Sequence, residues 1–179
     1  MSEFGLWAVT KHKEANHFYD ENLPYDYHLE LSYKMGLRFK HLLTPQQWFW
    51  VKDALYGHDL IEDVRQTYND VYTAAIMAVH TEKNAKKIAE SVRAVTNYGR
   101  GRNREERMPD YIYKEIVDTE CATYIKICDR LANVKHGLIS ESSMRKKYLK
   151  ENTHFKEMLY TEAYDEMWVY LEKLLTIEI

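Results

Sequence analysis

Residues 56–64 read YGHDLIEDV, and the fold turns on whether this stretch is a helix with ionisable groups stacked on one face. His58 and Glu62 are four positions apart, as are Asp59 and Asp63, so on a helix each pair sits one turn above the other. Leu60, Ile61 and Val64 mark the same segment as partly buried. Three carboxylates crowded beside apolar neighbours repel one another and lose hydration, which is costly unless a cation compensates them. The alternative is a solvated acidic face on which the His-Asp pair has no role.

Outward from that stretch the chain reads as one helix after another. Upstream, Thr44-Pro45-Gln46-Gln47 is a helix start. Threonine is placed to cap, proline occupies the first turn where no N–H is needed, and Gln47 is spaced to close a capping box. That helix carries Trp48, Val51 and Leu55 and ends near Gly57, after which HDLIED opens a new helix or continues this one with a bend. Residues 3–19 place Phe4, Trp7, Ala8, Lys11, Ala15 and Phe18 near a 3–4 spacing, and Pro24 separates them from a second pattern over about 27–43. Downstream, 69–80 and 81–96 are helical. From Pro109 one long helix is expected to about His136, capped by Gly137. Its apolar stripe is Ile112, Ile116, Val117, Cys121, Tyr124, Ile125, Cys128, Leu131 and Ala132. Asp129 falls within that stripe or on its edge, where a carboxylate needs a partner. Helices near 141–150 and 161–176 finish the chain, with no trustworthy strand alternation, repeat, low-complexity tract or linker.

The 179 residues suit one domain with its own core. Six glycines and three prolines fall between the periodic segments, so the expected fold is all-α. Net charge is −3 with acids and bases spread along the chain, which argues against a dominant basic surface for duplex nucleic acid. The longest apolar run, Ala74 to Val79, is far short of the roughly 20 residues a membrane span needs, and the N-terminus lacks a signal-peptide pattern. Cys121 and Cys128 lie two turns apart on the expected helix, about 10 Å, too far for a disulfide within it. Free thiols suit a reducing cytosol. The irregular stretch NYGRGRNREER (97–107) carries Arg100, Arg102, Arg104 and Arg107. It reads either as a solvated loop or as an anion-binding one, since guanidinium forks match phosphate oxygens.

The segment KICDRLANVKHG (126–137) resembles the ADRLxN signature of the RelA/SpoT-type (p)ppGpp hydrolase domains, within the HD phosphohydrolase superfamily. GHDLIEDV resembles that family's LHDxxEDT, KHKEANHFYDENLPYDYHLEL (11–31) its KHxxQxRxxGxPYIxHP segment, and VRAVTN (92–97) its VxxVTK stretch. The four blocks stand in the family's order. The resemblance implies a single HD-domain helical bundle over residues 1–179, with His28, His58, Asp59 and Asp129 as ligands of one divalent metal. It gives Glu62 and Asp63 the task of orienting or deprotonating the attacking water, and makes Asn133 a substrate contact. Two imidazoles and two carboxylates neutralise a divalent cation and leave positions open for water and a phosphate oxygen, which suits Mn²⁺ or a similar octahedral ion better than a closed zinc site. Taken singly, His28 reads also as a satisfied core histidine, Asp129 as a partner of Arg130 or a lysine, and Glu62 and Asp63 as surface charges.

The resemblance further implies a cytoplasmic phosphohydrolase of a small nucleotide, with (p)ppGpp losing its 3′ pyrophosphate. The length is short for the synthetase and regulatory domains of long family members, so a stand-alone hydrolase is expected. Asn16 and His17 stand where the family commonly has basic side chains that hold the base, while Leu29, Val64 and Ala132 replace its proline, threonine and bulky residue. The ligands are untouched by these departures, so the expectation is cleavage of ppGpp with guanine told from adenine less sharply, His17 still offering a ring to stack on. Arg100, Arg102 and Arg104, with Arg145, Lys146 and Tyr148, are candidates for the remaining phosphates. Two other readings are open. One is the same metal site acting on a deoxynucleoside triphosphate or NADPH. The other is a non-catalytic nucleotide-binding module, against which the full set of ligands speaks. The sequence leaves the oligomeric state open.

Overall fold

Side-chain caps set where many of the helices begin in the computed structural model, which describes residues 1–20, 22–78, 80–98, 108–140 and 144–177. Ser2 Oγ accepts from the Gly5 N–H and opens α1 (Glu3–Glu14). The helix ends there, short of the expected residue 19. Asn16 and Asp20 take left-handed backbone conformations (φ 51° and 56°), which their short polar side chains tolerate, and the chain turns. A two-residue antiparallel hairpin follows, β1 (Phe18–Tyr19) against β2 (Leu23–Pro24), a feature the periodicity did not announce. Then come α2 (Asp26–Arg38) and a 3₁₀ turn at Lys40–Leu42.

Thr44 and Gln47 form the expected reciprocal capping box of α3 (Pro45–Gly57), with Pro45 in its first turn. The HDLIED stretch opens a separate short helix, α4 (Leu60–Asp63). Thr67 and Asp70 make a second capping box at α5 (Tyr68–Met77), and Thr81 caps α6 (Glu82–Val95). The long helix expected from Pro109 is two: α7 (Asp110–Asp118) and α8 (Ala122–Ile139), broken where Cys121 adopts φ 58°. Helix α9 (Met144–Leu159), a 3₁₀ turn at Glu162–Tyr164 and α10 (Asp165–Thr176) complete the chain. Gly137 is not a cap but lies inside α8. A Cβ there would meet Arg145 Cβ at 3.3 Å and Arg145 N at 3.4 Å, so its role is to let α9 approach closely.

Helix α8 is the hub. It contacts α2, α3, α6, α7, α9 and α10, and every residue from Cys121 to Ala132 is buried. Tyr124 donates from its hydroxyl to the Gly36 carbonyl at 2.6 Å, tying α8 to α2. Trp50, Trp168, Phe4 and Phe155 fill the space between the surrounding helices, each large apolar side chain contributing about 1.5–3 kcal/mol by leaving water. Lys126, Asp129 and Arg130 of α8 are buried with their partners. Arg130 reaches Glu151 at 3.3 Å and lies over the rings of Tyr148 and Phe155. Among the described residues no helix is long and apolar enough to cross a membrane.

Burial pushes the Cys121 thiol up to about 12 and Cys128 well above its ordinary value. Neither should react with iodoacetamide in the native protein at about pH 8, and both should react once urea exposes them. Mass spectrometry before and after denaturation checks this. Thr44→Ala should lower stability by about 1 kcal/mol in urea unfolding, the usual cost of a lost N-cap.

Candidate metal centre

Three helices bring the candidate ligands together. His28 lies in the first turn of α2, His58 ends α3, and Asp129 sits mid-way along α8. Asp59 follows His58 with φ −102° and ψ 2°, the bend that separates α3 from α4. His58 Nδ1 lies 2.8 Å from the Leu55 carbonyl. A carbonyl only accepts, so Nδ1 carries a proton and Nε2 is the atom turned inward.

The inward-facing atoms crowd one point. His28 Nε2 and His58 Nε2 are 3.1 Å apart. Asp59 Oδ2 lies 2.9 Å from His58 Nε2 and 3.4 Å from His28 Nε2, and Asp129 Oδ1 lies 3.7 Å and 3.4 Å from the same atoms. Adjacent ligands on an octahedral ion with bonds of about 2.1 Å are separated by about 3 Å, close to this spacing. All four residues are buried. His28, His58 and Asp129 form a buried group able to hold a metal ion, and Asp59 stands at comparable range.

Electrostatics agrees with the geometry. Burial disfavours charged imidazoles, yet the bonds to Asp129 and Asp59 outweigh it and raise His28, while the charge of Asp59 lifts His58 well above its ordinary value. Burial likewise works against the two carboxylates. His58 nevertheless holds Asp59, and Lys126 holds Asp129, well below the usual carboxylate range. The centre is tuned to hold positive charge. Asp63 differs: burial and the neighbouring Asp59 push its carboxyl up to about 7.

A ring of hydrogen bonds fixes these groups. The Tyr25 hydroxyl is 2.5 Å from Asp59 Oδ2 and 2.9 Å from Asp63 Oδ2, bridging the two carboxylates. Its ring stacks on those of His12 (4.3 Å) and His17 (4.0 Å), which lie beside each other with centroids 5.3 Å apart. Burial holds His12 down to about 3, so it is neutral. Glu62 accepts from both the backbone N–H and the side-chain amide of Asn97 at 3.0 Å each. Asn133 donates to Asp129 Oδ1 at 2.5 Å and accepts from the Tyr19 hydroxyl at 2.9 Å.

The ligands open into a small polar cavity of about 160 Å³, which Glu62, Asp63, Lys126, Asn133 and Tyr148 also line. Two larger hollows of about 530 Å³ lie elsewhere on the molecule and converge no comparable set of ligating groups. Of the substrate candidates, Asn133 and Tyr148 reach the polar cavity. Asn16 is exposed in the turn after α1, and His17 has its ring against Tyr25; neither lines the cavity. Arg145 is engaged elsewhere. Its guanidinium donates to the carbonyls of Leu174, Leu175 and Ile177, closing the end of α10, and Lys146 is exposed on α9. Arg100, Arg102 and Arg104 lie outside the described residues. Tyr19, Tyr25, Asn97 and Lys126 were missed as site residues. All four fall inside the quoted motif blocks, but an isolated tyrosine, asparagine or lysine carries no spacing signal. Compared with known proteins, the chain matches no family model, no curated protein and no solved structure.

If the buried group holds a divalent ion, His58→Ala should weaken its binding by more than about a hundredfold, and Asn133→Ala, which frees Asp129, by about ten- to a hundredfold. Titration calorimetry on the folded variants checks both.

Proposed function

We propose that the chain is a metal-dependent phosphohydrolase of the HD type acting on a phosphorylated nucleotide, with (p)ppGpp the leading substrate and release of its 3′ pyrophosphate the leading reaction. One observation carries the reading: His28, His58, Asp59 and Asp129, from three separate parts of the sequence, meet in a buried cluster beside Glu62 and Asp63. The four sequence blocks that resemble the (p)ppGpp hydrolases supply the substrate class.

A divalent cation held by the four ligands, Mn²⁺ or a similar ion, would supply Lewis acidity toward a phosphate oxygen and lower the pKa of a water. The chain's own groups handle orientation and protons. Asp63, held by the Tyr25 hydroxyl and with its carboxyl near neutrality, is suited to take the proton of an attacking water. Glu62 is locked by Asn97 and presents a fixed edge to that water. Asn133 keeps Asp129 turned toward the imidazoles. The cavity is small and lined by polar groups, which suits phosphoryl oxygens better than a heterocyclic base. Asn16 and His17 lie outside its lining.

Purified protein with Mn²⁺ should convert ppGpp to GDP and pyrophosphate in a panel that includes deoxynucleoside triphosphates and NADPH. Turnover of one of those instead would replace the substrate and keep the class; no turnover of any would remove the class. Asp63→Asn should cut kcat by about 10²–10⁴-fold while Mn²⁺ affinity stays near that of the wild type. Normal turnover in that variant would take Asp63 out of the mechanism.

A further inference from the structure

Lys126 is almost fully buried, with 3% of its side chain exposed, and it lines the polar cavity. Its ammonium donates to the Val95 carbonyl at 3.0 Å and lies 3.4 Å from Asp129 Oδ2. Asp129 thus divides its two oxygens, Oδ1 toward the imidazoles and Oδ2 toward Lys126. An ammonium carries three N–H donors. Those two contacts account for two of them, and the third has no acceptor among the described residues.

The lining of this cavity holds four carboxylates, Asp59, Glu62, Asp63 and Asp129, and Lys126 is its one permanent cation among the described residues. An anionic phosphoryl group entering such a space is repelled unless positive charge faces it. We infer that Lys126 is a substrate-binding residue, which gives its remaining N–H to a phosphoryl oxygen lying against the metal centre. This rests on the phosphohydrolase reading and adds to it a second electrophilic contact, one carboxylate's width from the ligands. Because Lys126 lies against Asp129 Oδ2, that carboxylate has one oxygen left for an ion.

The test uses Lys126→Met, which keeps the length of the side chain and removes the charge. The probe is methylenediphosphonate, a non-hydrolysable diphosphate, titrated into protein saturated with Mn²⁺. Losing a charge-assisted hydrogen bond should weaken its binding about 10- to 100-fold. Mn²⁺ affinity of the same variant should be unchanged or tighter, since a like charge beside the ion has gone. A lysine that served only to neutralise Asp129 would show the reverse, with disturbed metal affinity and an unchanged diphosphonate Kd, and that result overturns the proposal while leaving the phosphohydrolase reading in place. If the variant fails to fold, a crystal of the wild type with Mn²⁺ and the diphosphonate decides. A phosphoryl oxygen within about 3.2 Å of Nζ supports the proposal, and none within about 4 Å overturns it. Wild-type protein that binds no diphosphonate and hydrolyses nothing would bring down the reading and this inference together.

Discussion

Two imidazole nitrogens 3.1 Å apart, flanked by carboxylate oxygens on either side, must share positive charge, and the helices around them are arranged as though that were the governing requirement. In a buried site an uncompensated carboxylate is so costly that it takes up a proton or recruits a cation. Here part of the compensation is internal. Lys126 faces Asp129 and the imidazoles face both ligand carboxylates, yet more acid lines the cavity than these groups balance. The surplus leaves a buried group that could hold a cation.

The same surplus explains why so many neutral groups are spent on orientation. Tyr25 spans Asp59 and Asp63, Leu55 fixes the tautomer of His58, Asn133 turns Asp129, and Asn97 grips Glu62 with two bonds. None carries charge. Each stops a carboxylate or imidazole from rotating to a solvent-facing rotamer, which would be the cheapest escape from repulsion. The packing of the Tyr25 ring on those of His12 and His17, which meet each other through Nδ1 at 3.0 Å, serves the same end by keeping its hydroxyl in one place.

How far the sequence disclosed this depends on the range of each interaction. Thr44 and Gln47 are three residues apart, and their box was legible at once. His58 with Asp59, and Glu62 with Asp63, share a few turns of chain, so their juxtaposition also followed from spacing. Asn97 holds Glu62 from 35 positions away, and no local pattern could announce it. The break between α7 and α8 went unseen because every residue from Cys121 to Ala132 is buried; an apolar stripe running through Cys121 then looks continuous, and the left-handed turn there is visible only in the fold. Gly137 and Arg145 mislead for one reason. Each is explained by its tertiary neighbour, Gly137 by α9 and Arg145 by the end of α10. The ligand set came from resemblance between motif blocks rather than from periodicity.

The burial of α8 from its start to Ala132 has a consequence for how the centre moves. Amides of a helix surrounded by six others reach solvent only when much of the protein opens, so Asp129 rides on a segment whose opening free energy approaches that of global unfolding. Asp59, Glu62 and Asp63 belong to a bend and a four-residue helix with fewer neighbouring helices, although Tyr25 and Asn97 hold their side chains. The cavity therefore has a stiff wall and a compliant one, and the compliant wall carries the carboxylates that would handle water. Sub-ångström adjustment during a reaction would fall to the α4 side, against a reference surface that does not yield.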